Sequence, residues 1–280
     1  MLKVPNSIVD CMWLNTHLYH KQLVVLDATV KKGVVKTTIP HLTDDKIPFS
    51  RTFDIQKVFS DLSANFPNTM LPAEEFEKKV QKLGINQCSC VIIYDRLGVY
   101  SSPRAWLMFL SVGFTNVAVL DGGFLEWKKM GFDVTQSVEH SYLKGNFKVK
   151  TNVERFVKYP LVLSHIGVSD CEILDARSKG RFTSKEPEPR ANVKSGHIPT
   201  SKNLPYTDVL DGNKFKQEEE LKAIFEILNP HRKPMIFTCG SGITACVLAL
   251  AAKISGHQDG VAYNGSWTEW GSIPNLPIKV

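Results

Sequence analysis

The sequence predicts an α/β protein made of two tandem copies of one unit, each a mostly parallel sheet covered by helices. Two observations predict this class. Three landmarks recur along the chain in the same order, at offsets of 148, 144 and 143 residues. Within each copy, short β-branched and apolar runs alternate with stretches of helical periodicity, a pattern typical of parallel strands joined by helices.

The three landmarks are a strand ending in Asp-Ala, a strand running into a helix, and a Gly-rich turn before a Trp-containing helix. They pair residues 23–29 with 171–177, 91–95 with 234–239, and 121–127 with 264–270. Ordered similarity at a nearly constant offset indicates an internal repeat, and two copies indicate tandem domains rather than a solenoid.

Helices and boundaries follow from the periodicity between these landmarks. Residues 71–83 and 218–228 each place apolar side chains on one helical face, with charged residues between them. A weaker pattern separates the two copies. We therefore expect one domain over 1–140, a surface-packed linker over 141–160, and a second domain over 161–280.

Composition excludes several classes of protein. The 34 basic and 28 acidic residues leave a net charge of +6, and the basic residues occur in isolated pairs rather than in one tract. This distribution favours small anionic partners, and we expect no nucleic-acid binding. No apolar run reaches the roughly 18 to 20 residues that span a bilayer, so no membrane partner is expected. The opening residues lack secretory and transit patterns, which predicts a cytoplasmic protein and leaves mitochondrial import open. The six cysteines lack metal or redox spacing, and we expect free thiols and no metal.

The chemistry points to Cys239, which ends the second strand landmark of the second copy. The loop after it consists of Gly240, Ser241, Gly242, Ile243 and Thr244, and a helix follows. A tight loop between strand and helix gathers backbone N–H groups around one point, where they hold an anion. Such donors would stabilise a thiolate and make Cys239 a nucleophile. The alternative is a Gly-rich turn with an incidental buried cysteine.

Two arginines, Arg181 and Arg190, follow the first strand of the second copy. If this strand and the Cys239 strand are neighbours in a parallel sheet, their carboxyl ends face one crevice. Two guanidiniums can clamp a carboxylate there. The alternative is a pair of surface arginines in a Pro-rich loop.

These residues resemble the 3-mercaptopyruvate sulfurtransferases, two-domain members of the rhodanese superfamily. The resembling segments are Cys-Gly-Ser-Gly-Ile-Thr-Ala from 239, Asp-Ala-Arg-Ser from 175, Glu-Pro-Glu-Pro-Arg from 186, Gly-His-Ile-Pro from 196 and Gly-Ser-Trp-Thr-Glu-Trp from 265. The first half matches less tightly, but the resemblance spans nearly the whole chain. It implies two rhodanese-like domains, of which the second carries the catalytic cysteine.

The resemblance also implies a reaction and its residues. Cys239 would take sulfur from 3-mercaptopyruvate, release pyruvate, and pass the persulfide sulfur to a thiol acceptor such as thioredoxin, a small thiol, or cyanide. Substrate binding would fall to Arg181 and Arg190, and help with proton transfer to Ser241. Contacts to the persulfide would come from the remaining loop residues, Gly240, Gly242, Ile243 and Thr244. No cofactor is implied.

Departures from the family pattern keep two alternatives open. A thiosulfate-preferring rhodanese carries two loop cations where this chain has Gly240 and Ser241, so a monocarboxylate donor fits better than thiosulfate. The family's relay His and Asp are Thr69 and Gln56 here, and neither can act as an imidazole base or its orienting carboxylate. A thiosulfate sulfurtransferase, or a low-turnover persulfide carrier or regulatory protein, therefore remains an alternative.

Overall fold

A computed structural model describes residues 1–30, 45–136, 141–150, 153–257 and 260–280. The strands are β1 (Ile8–Val9), β2 (Leu23–Asp27), β3 (Asp45–Lys46), β4 (Arg51–Thr52), β5 (Cys90–Tyr94), β6 (Val117–Leu120), β7 (Thr135–Gln136), β8 (Phe156–Val157), β9 (Glu172–Asp175), β10 (Lys202–Asn203), β11 (Leu210–Asp211), β12 (Lys214–Phe215), β13 (Met235–Thr238) and β14 (Val261–Tyr263). The helices are α1 (Cys11–His17), α2 (Ala73–Lys82), α3 (Ser102–Ser111), α4 (Gly123–Lys129), α5 (Tyr159–Ser164), α6 (Lys179–Phe182), α7 (Glu218–Leu228), α8 (Ala245–Ile254) and α9 (Ser266–Trp270).

The first compact unit comprises residues 1–60 and 71–153. Its sheet runs in the order β1-β6-β5-β2-β4, and every neighbouring pair is parallel. The central strand β5 is buried along its whole length, which explains its unbroken apolar sequence. Helix α3 packs on β5 and β6.

The second compact unit comprises residues 61–70 and 154–280. Its sheet runs β10-β9-β13-β14-β8, again entirely parallel, which is the order of the first sheet read from the other edge. The two sheets confirm the duplicated α/β unit predicted from the repeat. Helices α2 and α7 confirm the two amphipathic stretches.

The carboxyl ends of two neighbouring strands in the second sheet position the candidate site. Strands β9 and β13 are neighbours, with Asp175 opposite Thr238 at their carboxyl ends. The Ala176 N–H donates to the Thr238 carbonyl at 2.9 Å and continues the pairing one residue further. Cys239 and the segment after Asp175 therefore both follow the carboxyl ends of neighbouring strands, as the sequence predicted.

The stretch between the two copies contributes to both units. Phe147 is buried in the first unit, where its carbonyl accepts from Gln81 Nε2 at 2.8 Å. Strand β8, by contrast, pairs with β14 in the second unit. Residues 137–140 and 151–152 lie outside the described residues, and the predicted boundaries 1–140, 141–160 and 161–280 remain a prediction. Within the described ranges, no helix has the length and apolar character needed to cross a bilayer.

Gly123 allows the backbone to pass close to the turn after β5. Its φ is +55°, and a methyl group built on it would lie 2.3 Å from the Gly98 carbonyl oxygen and 2.4 Å from that of Asp95. The first unit therefore requires glycine here, both for conformation and for space.

We predict that Gly123→Ala lowers the free energy of unfolding by about 3 kcal/mol, because strain and overlap with two carbonyls add. Gly131→Ala is the matched control, since Gly131 has φ +71° but no atom within 4 Å of its added methyl. It should cost about 1 kcal/mol. Urea denaturation measures both, and equal losses would contradict the role of close approach.

Candidate active site

Cys239 lies at the end of β13 and is only 1 % exposed. The Gly242 N–H donates to its Sγ at 3.1 Å. Gly242 has φ +79°, in the left-handed region that favours glycine. A backbone donor aimed at sulfur stabilises negative charge there, and the loop places one such donor on Cys239.

The loop carbonyls are held by donors outside the loop. Trp267 N–H donates to the Cys239 carbonyl at 2.9 Å, and Thr268 donates to the Gly240 carbonyl from its N–H at 2.9 Å and its hydroxyl at 2.6 Å. In a trans peptide, a carbonyl and the following N–H point in opposite directions. The N–H groups of Gly240 and Ser241 therefore face away from α9.

Ser266 fastens the cysteine itself. Its hydroxyl accepts from the Cys239 N–H at 3.2 Å, donates to the Tyr263 carbonyl at 2.8 Å, and lies 3.8 Å from Cys239 Sγ. Ser266 is fully buried with φ +51°, at the position that Gly123 occupies in the first copy. The sequence reasoning passed over Ser266, and the substitution of serine for glycine within the repeat was the available signal.

Asn68 is a second residue that sequence reasoning missed. It belongs to the second unit, is 5 % exposed, and donates from Nδ2 to the Ser241 carbonyl at 2.9 Å. Its φ of +63° is one that asparagine tolerates. The neighbouring Thr69 uses its hydroxyl to donate to the Phe66 carbonyl at 2.9 Å. Thr69 thus stabilises its own loop, whereas Asn68 holds the carbonyl of the cysteine loop.

The first unit fills the corresponding loop with a carboxylate. Asp95 is fully buried, and its oxygens accept from the backbone N–H groups of Leu97, Tyr100, Ser101 and Ser102 and from the Ser102 hydroxyl, at 2.7–2.9 Å. Burial raises the pKa of Asp95, and these donors oppose the rise. The same strand–loop–helix turn therefore surrounds a negative group with amides in the first unit too.

A line of alternating charges leads from β9 to the cysteine loop. Arg177 is fully buried, with Nη2 2.7 Å from Asp175 Oδ2 and Nη1 2.9 Å from Glu188 Oε1. Its guanidinium lies 4.3 Å from the centre of the Trp267 ring. Arg181 meets the same Glu188 through Nε at 3.1 Å and Nη2 at 2.6 Å.

Arg181 is placed against the cysteine loop. A methyl group built on Gly240 would lie 3.0 Å from Arg181 Nη2 and 3.5 Å from Nη1. Glycine at 240 thus leaves the space that the guanidinium fills. Arg190 is half-buried, and the structure records no ion pair for it with any described residue.

The remaining candidate residues complete the loop. Ser241 is half-buried, and within the described ranges its hydroxyl has no recorded hydrogen bond. Ile243 is buried, and Thr244, also buried, is the N-cap of α8. Among the described residues, no group of three or more histidine, cysteine or acidic side chains is arranged to hold a metal ion.

The other cysteines differ from Cys239 in their surroundings. All six are free thiols, and only Cys88 is exposed. Burial raises the pKa of Cys90 to about 12 and that of Cys171 to about 11, so both stay protonated. Cys246 donates to the Gly242 carbonyl at 3.4 Å, which belongs to the peptide unit after the one whose N–H meets Cys239.

Two matching parallel sheets, with a cysteine in an amide-lined turn of the second, agree with a known family model. The model for the rhodanese-like domain matches residues 46–130 and 161–273. The chain therefore belongs to the rhodanese-like family. Within it the chain is an enzyme, a sulfurtransferase of the group whose members are named for 3-mercaptopyruvate and thiosulfate.

Three relatives illustrate the similarity. The mitochondrial thiosulfate/3-mercaptopyruvate sulfurtransferase 1 of Arabidopsis thaliana is 34 % identical, over 99 % of this chain and 79 % of its own. The thiosulfate sulfurtransferase of Mus musculus is 36 % identical, over 94 % and 91 %. The crystal structure of SseA from Escherichia coli, described for the rhodanese fold and catalytic mechanism of 3-mercaptopyruvate sulfotransferases, superposes with a TM-score of 0.81 at 30 % identity, over 94 % and 99 %.

We predict that Ser266→Ala lowers the free energy of unfolding by about 1–3 kcal/mol, because the buried Cys239 N–H loses its acceptor. Ser272→Ala is the control, since the Ser272 hydroxyl only donates to the Thr268 carbonyl. It should cost about 1 kcal/mol or less. Denaturant unfolding compares the two variants, and a smaller loss for Ser266→Ala would argue against this anchoring bond.

Proposed function

We propose that the protein transfers sulfur from 3-mercaptopyruvate to a thiol acceptor through a persulfide on Cys239. The observation that carries the proposal is the Gly242 N–H donating to Cys239 Sγ at 3.1 Å, in a loop that has Arg181 beside it. A thiolate stabilised by an amide is a competent nucleophile for sulfur, and a guanidinium is a natural partner for the substrate carboxylate.

The first half-reaction balances without an added reagent. Cys239 Sγ attacks the substrate sulfur, and the bond between that sulfur and C3 breaks with its electron pair going to carbon. The resulting enolate takes up the proton that the substrate thiol carried. The products are pyruvate and a Cys239 persulfide, whose terminal sulfur the amides of Gly242, Ile243 and Thr244 would hold.

This balance explains how the reaction could proceed with Thr69 and Gln56 in place of a histidine and an aspartate. The proton leaves the substrate sulfur and ends on the substrate carbon, so the site has to relay a proton but has no net proton to remove. The hydroxyl of the half-buried Ser241, two residues after Cys239 in the same loop, is our candidate for this relay. A hydroxyl can accept one proton and donate another in the same step.

In the second half-reaction, a thiol acceptor attacks the outer persulfide sulfur and Cys239 leaves as a thiolate. A small thiol or a thioredoxin-like dithiol fits this step, because a further thiol can then release hydrogen sulfide and leave a disulfide. Cyanide would take the same sulfur as thiocyanate. The preference for 3-mercaptopyruvate over thiosulfate rests on the neutral Gly240, whose missing side chain makes room for Arg181.

We expect wild-type protein to release pyruvate continuously from 3-mercaptopyruvate when a reducing thiol is present, and Cys239→Ser to release none above background. Cys88→Ser is the matched control, since Cys88 is the exposed thiol and lies in the first unit. A single-equivalent burst that depends on Cys239 would point to a persulfide carrier. No burst at all would contradict this donor.

We expect Arg190→Ala to raise KM for 3-mercaptopyruvate about tenfold or more, because a charge-assisted hydrogen bond to the carboxylate is lost. Lys185→Ala, which removes an exposed cation from the same loop, should leave KM within about twofold. Steady-state kinetics compares the two variants. Equal effects would argue that Arg190 contributes only general charge.

A further inference from the structure

Four charged side chains of the second unit form one connected group of ion pairs: Asp175, Arg177, Glu188 and Arg181. Asp175 pairs with Arg177, and Glu188 is shared between Arg177 at 2.9 Å and Arg181 at 2.6 Å. Two guanidiniums and two carboxylates leave no net charge. The guanidinium beside Gly240 is therefore neutralised where it meets the loop.

Glu188 is the member that cancels the charge of Arg181. Its side chain is only 4 % exposed, against 13 % for Arg181, so water screens this pair little. The field of an isolated cation falls with distance as a charge, whereas that of a paired cation falls as a dipole and is much weaker a few ångströms away. Arg181 thus offers N–H donors near Cys239 with little net positive charge.

We propose that Glu188 sets the charge preference of the site, favouring sulfur donors with one negative charge over dianionic donors such as thiosulfate. This inference rests on the function proposed above for the same site. Arg190 is half-buried, and no ion pair is recorded for it among the described residues; it supplies a positive charge that water screens less than that of the exposed Lys185 on the same loop. One such charge matches one carboxylate. A dianion would need a second uncompensated cation, and Glu188 neutralises the nearby Arg181.

The decisive variant is Glu188→Gln, which keeps the shape and one acceptor oxygen but removes the charge. Arg177 keeps its pair with Asp175, so one buried guanidinium remains compensated. We expect the ratio of kcat/KM for thiosulfate to that for 3-mercaptopyruvate to rise about tenfold. Glu186→Gln is the matched control, because the exposed Glu186 carboxylate pairs with the Ser178 hydroxyl rather than with an arginine. It should leave the ratio unchanged.

A second measurement needs no turnover. Iodoacetate and iodoacetamide alkylate thiols with the same leaving group, but only iodoacetate is an anion. Peptide mapping follows alkylation at Cys239, and the quantity compared is the iodoacetate rate divided by the iodoacetamide rate. We expect Glu188→Gln to raise this ratio about fivefold and Glu186→Gln to leave it unchanged. Arg181→Gln, which leaves Glu188 without its second cation, should lower the ratio below wild type, and it tests the same pair if Glu188→Gln does not fold.

The double variant Glu188→Gln/Arg181→Gln separates charge from simple loosening of the loop. If Glu188 acts through Arg181, the alkylation ratio should return to near the wild-type value in the double variant. Ratios that do not move in opposite directions in the two single variants would overturn the inference. Wild-type protein without turnover on 3-mercaptopyruvate would instead contradict the proposed function, while the alkylation ratios would still decide the role of Glu188.

Discussion

The structure depends most on the backbone N–H groups that converge where a central strand turns into the following helix. In the first unit this turn holds the Asp95 carboxylate with five donors, and in the second it holds Cys239 with the Gly242 N–H on its sulfur. A buried turn with amides pointing inward needs a negative or strongly polar group at its centre, because unpaired buried donors are costly. The duplicated fold thus directs backbone donors at a polar side chain in the same turn of both units, a carboxylate in the first and a thiol in the second.

In the second unit, hydrogen bonds from outside the cysteine loop hold the loop carbonyls. The carbonyls of Cys239, Gly240 and Ser241 are bound by α9 and by Asn68, and a trans peptide then directs the following amides to the other side. The short segment 61–70 supplies Asn68 and packs with the second unit, although it lies within the first copy in sequence. The loop geometry is therefore set by elements distant from it along the chain.

Charged side chains surround the cysteine turn of the second unit. Arg181 reaches the loop through the space left by Gly240, but it arrives already paired with Glu188. The buried Arg177 in turn ties Glu188 to Asp175 at the end of β9 and stacks on Trp267, whose N–H holds Cys239. Ion pairs, ring stacking and hydrogen bonds to the loop carbonyls therefore connect Asp175 at the end of β9 to Cys239 at the end of β13.

The sequence alone determined the duplicated parallel fold, because apolar runs, helical periodicity and repeated landmarks are patterns that can be read along the chain without knowledge of tertiary contacts. It also determined that Cys239 meets loop amides and that Arg181 leaves the sheet at the same edge, since neighbouring parallel strands share their carboxyl ends. Only the tertiary structure decided the partners. Local pattern could not show that Asn68 binds Ser241, that Ser266 binds the Cys239 N–H, or that Glu188 neutralises Arg181. Such pairings join residues by position in space, and burial rather than spacing selects them.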